Sequence, residues 1–418
     1  MDSLDRDHYL LIDTARSVLM MDSTELMPNA SVAVMRAFLT MRAPIGAINV
    51  RLNEILGYNR HERLRLGVGL ETNDKVSKKI QVGANIGYGT GDEVWKYQGD
   101  LLLCFDQRQR LNLYVKYSKD IRELGAVSFF EQDRRTAFEM IRSWQGSLFD
   151  EERMVKAVLH AQLSTDISTQ IGYEASIDKP LYDYRFLNIG KALDQYQMSD
   201  LSLALKYAKG QKVDNMFGAN IPLGEGIPLV KVKYAYAHNA LGGNVSYQRI
   251  DLFVRFQADY SLGRSDWTVR AGYIDSAVPY SRLITGWGNS MLVLNLDRHF
   301  QTMSLYEYVS DRSAAVFYQH NFGSILWQSR WSSPEPIIYQ NSGIGELHHL
   351  EVHALVALQT IDKGYHEAGV GLNNLLRFNY FNWGMMELGV GGYYRYDSNR
   401  HHHEKKNVAV RMNAFLRL

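Results

Sequence analysis

The 418-residue chain has a single cysteine, Cys104, which excludes an intrachain disulfide and a cysteine-built metal cluster. No run of about eighteen consecutive apolar residues occurs, which excludes an ordinary transmembrane helix. A closed barrel of strands is then the one integral-membrane architecture left open. Charge of one sign is lacking too, with 46 Lys and Arg against 45 Asp and Glu. A net charge of +1 gives no general pull toward nucleic acid, so none is expected as a partner. The first residues, MDSLDRD, are acidic and polar rather than basic and then apolar, unlike an export leader. An exported protein needs such a leader. The expectation is therefore that the protein stays inside, or that these residues continue a longer precursor. HExxH, GxSxG, CxxC and Walker patterns are also missing, so no cofactor and no enzymatic activity are expected.

What is present is alternation. Residues 3–20 place Leu4, Tyr9, Leu11, Ala15, Val18 and Leu19 at three- and four-residue steps, which suits a short amphipathic helix, and 30–42 hold another candidate. From about residue 44 the period becomes two. Leu64, Leu66, Val68 and Leu70 alternate with Arg63, Arg65, Gly67, Gly69 and Glu71. The same holds for Ile80 to Tyr88, Leu111 to Tyr117, Ile250 to Leu262 and Val408 to Leu418. Sixteen strands are predicted, over 45–55, 63–72, 79–89, 94–105, 110–119, 152–163, 167–178, 199–208, 228–238, 246–262, 266–274, 313–322, 347–360, 365–373, 383–396 and 407–418. They exceed the five or six residues usual in soluble sheets, and their number is even, as in bacterial outer-membrane barrels. Tight connections at 164–166 and 263–265 alternate with long ones at 120–151, 179–198 and 275–312. The connections 209–227 and 323–346 break this rule, because strand parity puts both at the tight-turn end.

Alternation alone also suits a soluble sandwich. Tyr88, Tyr117, Tyr207, Tyr236, Tyr260, Tyr273 and Tyr396, however, all lie on the apolar parity near strand ends. Amphipathic rings at both margins of an apolar band are what two membrane interfaces require. The opposite face is polar and of mixed sign, with Arg65, Arg255, Arg270, His349, Glu351 and His353 among the predicted lumen-lining residues. No single sign dominates there to define an ion-selective pore.

Several patterns admit a bland reading. The glycines Gly87, Gly89 and Gly91, and Gly369 with Gly371, resemble pieces of nucleotide loops but have no helix after them. Strand curvature, or close approach of lumen groups, accounts for them more simply. His349, Glu351 and His353 share a strand face and suggest metal ligands, but also read as lumen polar residues. The tract His401, His402 and His403 reads as a solvated loop. The long 275–312 connection gathers Gly286, Trp287, Gly288 and Asn289 with Tyr306 to Arg312 (YEYVSDR), and long ordered loops tend to be functional. It reads either as a lumen plug or as an active gate.

These blocks resemble a family of uncharacterised Gram-negative outer-membrane barrels, a domain of unknown function commonly named "carboxypeptidase-like regulatory domain-containing protein". The resemblance rests on Glu62 to Asn73 (ERLRLGVGLETN), Gly87 and Gly89 followed by Trp95, Lys96 and Tyr97, and Val278, Pro279 and Tyr280. It continues through Gly288 and Asn289, the Tyr306 to Arg312 block, His320 to Phe322, and Glu367 to Asn374 (EAGVGLNN). That family is distantly similar to the sixteen-stranded barrels of outer-membrane insertases and two-partner secretion pores. The similarity implies that the loop before the twelfth strand tucks an arginine into the lumen. Arg282 or Arg312 is then the arginine, and Glu307 or Asp311 its partner. The relatives' Val-Arg-Gly-Tyr/Phe turn is not found in this loop.

The sequence thus predicts an all-β, antiparallel transmembrane β-barrel of about sixteen strands at 44–418. A short helical periplasmic segment at 1–43 precedes it, as the barrel part of a longer or truncated protein. The expected role is non-enzymatic insertion or translocation of polypeptide or envelope components. Outer-membrane lipid is the expected partner, with periplasmic or envelope proteins as further candidates. That role predicts a strained or hybrid seam between 45–55 and 407–418. The candidate lumen-loop residues are Arg282, Gly288, Asn289, Glu307, Asp311 and Arg312. A passive or substrate-specific pore, an outer-membrane hydrolase needing a Ser/His or Asp/His pair near one rim, and a soluble β-protein stand as alternatives.

Overall fold

The computed structural model describes residue 37 and residues 40–417, apart from 107–109, 126–127, 132–144, 189–190, 212, 217–218, 223–225, 290–292, 380–384 and 398–406. Most of the predicted N-terminal helical segment, and the histidine tract at 401–403, lie outside these residues. Eighteen described strands make one sheet. They are β1 (Arg42–Ile45), β2 (Ile48–Arg51), β3 (Leu56–Asn59), β4 (Arg63–Thr72), β5 (Ile80–Gly89), β6 (Trp95–Cys104), β7 (Leu111–Glu123), β8 (Phe149–Gln162) and β9 (Ile167–Pro180). The rest are β10 (Tyr196–Ala208), β11 (Leu229–Ala237), β12 (Tyr247–Tyr260), β13 (Gly263–Ile274), β14 (Arg312–Asn321), β15 (Glu335–Glu346), β16 (Ile361–Asn379), β17 (Met385–Arg395) and β18 (Val408–Arg417).

The sheet is an antiparallel meander. β2 and β3 both pair with β4, and from β4 to β18 each strand pairs with the next. A single 3-10 turn at Leu52–Glu54 separates β2 from β3. Counted as one interrupted strand, they give with β4–β18 the sixteen strands that the sequence predicts. Among the described residues no ladder joins β18 to β2 or β3. β1 instead folds back on β2, from Arg42 opposite Arg51 to Ile45 opposite Ile48.

The two faces are the inverse of a soluble protein's. The apolar parity points outward and is bare, with Leu66 50%, Val68 46% and Val410 64% exposed. Glu71, Asn85, Lys96, Asn112, Thr268 and Glu367 are buried on the inner face. Large apolar side chains on an open face require a solvent other than water, so the sheet is a transmembrane barrel sheet. No helix among the described residues is long and apolar enough to cross a membrane. Outward aromatics collect near the strand ends. Tyr88 lies against Trp95 and Tyr97 against Tyr117 toward one rim, and Phe256, Trp267 and Tyr318 stack side by side toward the other. Inward charges pair across strands. Arg51 bridges Glu71 and Asp100, and Arg65 of β4 reaches Asp120 of β7 across Gly87, where a Cβ would stand 2.8 Å from the Arg65 guanidinium nitrogen Nε.

One predicted strand is corrected. Residues 347–360 are a rim loop with a 3-10 turn at Leu350–Val352, and the strand is 335–346. The true strand is disguised because Pro336 opens it and the polar Gln340 and Ser342 interrupt its apolar parity. The loop imitates a strand because Leu347, Val352, Val356 and Leu358 pack onto a cluster beneath it. With this shift the long connection falls at the long-loop rim, and the turn at 322–334 falls at the other. The 209–227 connection does remain at the tight-turn rim, where Val213–Met216 and Ala219–Pro222 pair as a small hairpin.

Candidate functional site: the loop inside the barrel

The segment between β13 and β14, residues 275–311, is the longest described connection and runs inward. Its neck is a short ladder between Ile284–Thr285 and Val309–Ser310. Tyr280, Leu283, Ile284 and Val309 there pack with Tyr184, Phe186, Tyr196 and Tyr247 into a buried apolar cluster. Deeper in, Phe300, Met303 and Tyr308 pack against Phe317 of β14 and Tyr365 of β16. Trp287 borders both clusters, and the Arg270 guanidinium lies 5.9 Å from its ring centre and 5.6 Å from that of Phe253.

Polar contacts hold the loop at separate points around the wall. On β9, Arg282 donates to Asp178 Oδ2 and Ser176 Oγ, both at 3.0 Å, and stands 3.5 Å from Glu174. Glu174 also takes Lys156 at 3.2 Å and Arg122 at 3.3 Å. Burial opposes the charge of Arg282, but Asp178, Tyr247 and Glu174 outweigh it and raise its pKa well above the usual value. On β16, Glu367 accepts from the backbone N–H of Gln301 at 2.8 Å and of Thr302 at 2.9 Å, from the Thr302 hydroxyl at 2.6 Å, and from Asn341 at 2.7 Å. On β17, Arg395 is wholly buried; it donates to Glu307 at 2.9 Å and also bonds Tyr308. On β7, Glu123 accepts from Tyr306 at 2.7 Å. On β18, Arg411 donates to the Gln301 carbonyl at 2.6 Å.

A lid covers the same rim. Arg185–Asn188 pairs with Lys191–Leu193 and with His353–Ala354. The Tyr280 N–H donates to Tyr184 Oη, and that hydroxyl meets His353 Nδ1 at 2.8 Å, tying three connections together. Burial holds the His353 imidazole down to about 4, so it is neutral at neutral pH, and burial likewise pushes Tyr280 up to about 12.

The predicted loop residues separate as follows. Arg282 lies in the lumen, but its carboxylates are Asp178 and Glu174, not Glu307 or Asp311. Glu307 serves Arg395, and Asp311 bonds His348 at 3.0 Å. Arg312 opens β14 on the outward face, 5.0 Å over the Tyr273 ring. Gly288 bridges to Phe300, and Asn289 donates its side-chain amide to Gln301 and to the Leu294 carbonyl. Among the lumen residues, Arg65, Arg255 and Arg270 lie on the inner face, Arg255 with Asp266. His349, Glu351 and His353 do not share a lumen strand face: they belong to the rim loop, with Glu351 71% exposed, because 347–360 is no strand of the barrel wall. Glu367 and Arg395 were not singled out by the sequence reading. An inward-parity charge beside Gly369 and Gly371, or beside Gly391 and Gly392, is the signal that marks them.

The pair a hydrolase needs does exist near one rim, since Ser265 Oγ meets His320 Nδ1 at 2.7 Å and His320 Nε2 is held by the Leu262 carbonyl. Ser265 is only 2% exposed, however, so its hydroxyl has no open approach for a substrate carbonyl.

No family model and no curated protein matches the chain. Among solved structures it is similar to "BamA from Haemophilus ducreyi lacking POTRA domains 1-3", at TM-score 0.51 and 10% identity over 89% of this chain and 71% of that one. It also aligns with "CdiB from Escherichia coli" at TM-score 0.46 and 8% identity, over 89% of this chain and 63% of that one. For "CdiB from Acinetobacter baumannii" the values are 0.41 and 10%, over 85% and 57%. The first likeness places the fold with the BamA-type barrel.

Proposed function

We propose that the protein is an outer-membrane barrel that moves or assembles polypeptide or envelope components without catalysing a covalent step. Its outward face takes membrane lipid as solvent, and its partners are extended polypeptide and envelope proteins. The observation that carries this reading is the 275–311 loop, bonded to the wall on β7, β9, β16, β17 and β18 among other strands and reaching the unjoined end of the sheet. A loop that fills the lumen and is held by separable ion pairs makes a poor constant pore and a good plug for a barrel that acts at its seam.

The test is depletion of the protein in its native host, followed by quantitation of outer-membrane proteins and exported polypeptides. Loss of a defined set, restored by the wild-type chain, is the expected result. An unchanged envelope proteome, together with steady large conductance of the purified protein in planar bilayers, would replace this reading with a pore.

A further inference from the structure

We infer that residues 293–295, at the tip of the lumen loop, form a self-strand latch on the barrel seam. They occupy backbone groups of β18 that a joining strand would otherwise take. Met412 donates its N–H to the Val293 carbonyl at 2.6 Å and accepts the Asn295 N–H at 2.9 Å. In an antiparallel pair a residue turns its N–H and C=O toward the same side. Met412 stands opposite Val390 in the β17 ladder, yet gives both groups to the loop, so both face away from β17 into the seam.

The bridge between Leu294 and Met412 is parallel. A meander of sixteen strands would bring its first and last strands together antiparallel, so this contact is an insertion and not a remnant of closure. Side chains brace it. Asn295 donates to Asn413 Oδ1 at 2.8 Å, and Asn413 donates in turn to Asn373 Oδ1 at 2.6 Å. Asn289 and Gln301 hold the Leu294 and Leu296 carbonyls from behind.

The other margin is treated alike, for β1 folds back over β2 in a four-residue pairing. Edge N–H and C=O groups in hydrocarbon find no water, so each needs a partner. Two backbone bonds supply one at Met412, against ten paired residues in the β17 ladder, so the cap leaves long before the wall breaks. The latch thus ties withdrawal of the loop to exposure of the β18 edge. It rests on the transport reading only for what that edge then receives.

The test uses the full chain in a Cys104→Ser background. A Leu294→Cys/Met412→Cys pair is expected to oxidise to a reducible crosslink, as is a Val390→Cys/Met412→Cys control across the neighbouring ladder. Asn295→Pro deletes one latch bond and is expected to speed hydrogen exchange of the Met412 amide by about tenfold or more, with heat-modifiable gel migration unchanged. In planar bilayers that variant is expected to open more often, and the crosslinked pair to stay shut until reduced. A control that crosslinks while the 294/412 pair does not, or equal Met412 exchange in the Asn295→Pro variant, overturns the latch. A crosslink that leaves gating unaltered overturns its control of the seam. Host depletion reads the transport function separately, so the two failures are distinguishable.

Discussion

Arg282 Nη2 stands 3.0 Å from Asp178 Oδ2, and both side chains are more than nine-tenths buried. The pair fastens the start of the lumen loop to β9. Deleting one member leaves the other charged and without water. Arg282→Ala is expected to destabilise the loop-in state by about 3–5 kcal/mol. The double variant Arg282→Ala/Asp178→Asn should lose less than the sum of the two single changes. The thermal midpoint of heat-modifiable migration, with protease sensitivity of residues 275–311, measures both. A double-variant loss equal to the sum of the two single losses would mean that the pair is not coupled.

Glu367 holds the loop by another means, accepting two backbone N–H groups and a hydroxyl where an ordinary wall residue would face solvent. Glu367→Ala strands those donors in a dry site, at about 1–3 kcal/mol for each one left unsatisfied. Glu367→Gln keeps the volume but turns an amide NH2 toward one of them, so an intermediate loss is expected. Increased cleavage near Thr302, without loss of the folded gel band, is the measurement that separates loop release from global unfolding.

His353 makes the lid sensitive to acid. Its folded pKa of about 4 lies below the ordinary value of 6.5 because burial disfavours the charged ring. Between these values the unfolded or opened state binds the proton more readily. The stabilising effect of the neutral ring is therefore complete above about pH 6.5 and is lost as pH falls toward 4. Proteolysis of 181–195 and 347–360 in detergent should accelerate across that window. His353→Gln, which cannot titrate there but can still accept from Tyr184, should flatten the profile.

The wall was legible in the sequence and its fastenings were only partly so. Alternation is a local signal, written every second residue, and fifteen of the sixteen predicted strands overlap strands of the large sheet. The strand at 335–346 was hidden because Gln340 and Ser342 stand on its outward face, where Gln340 bonds Tyr396 and Ser342 meets His366. Arg282 was reachable by analogy with other barrels. Its partners were not, because they are set by register between β9 and a loop more than a hundred residues away. Glu367 and Arg395 look like any other inward charge until the loop that they hold is in place. The bridge at Met412 is made by backbone, and the asparagines that brace it, Asn295 and Asn413, lie more than a hundred residues apart with no local pattern to join them.

Gly343 gives the loop a seat that a larger residue would remove. A Cβ built there stands 2.9 Å from Cζ of Phe300, whose ring is wholly buried between Phe317 and Tyr365. Gly343→Val would drive that ring out of its packing, or bend the β15 backbone away from it, at about 1–3 kcal/mol. Because Phe300 precedes the two N–H groups held by Glu367, displacement should propagate to that anchor and free the loop tip from β18. Gly99→Ala is the matched control, since a Cβ at Gly99 meets nothing within 4 Å. Loop cleavage and Met412 amide exchange should rise together in Gly343→Val and stay at wild-type levels in Gly99→Ala. A rise in loop cleavage with Met412 still protected would mean that the tip holds the seam independently of the anchor above it.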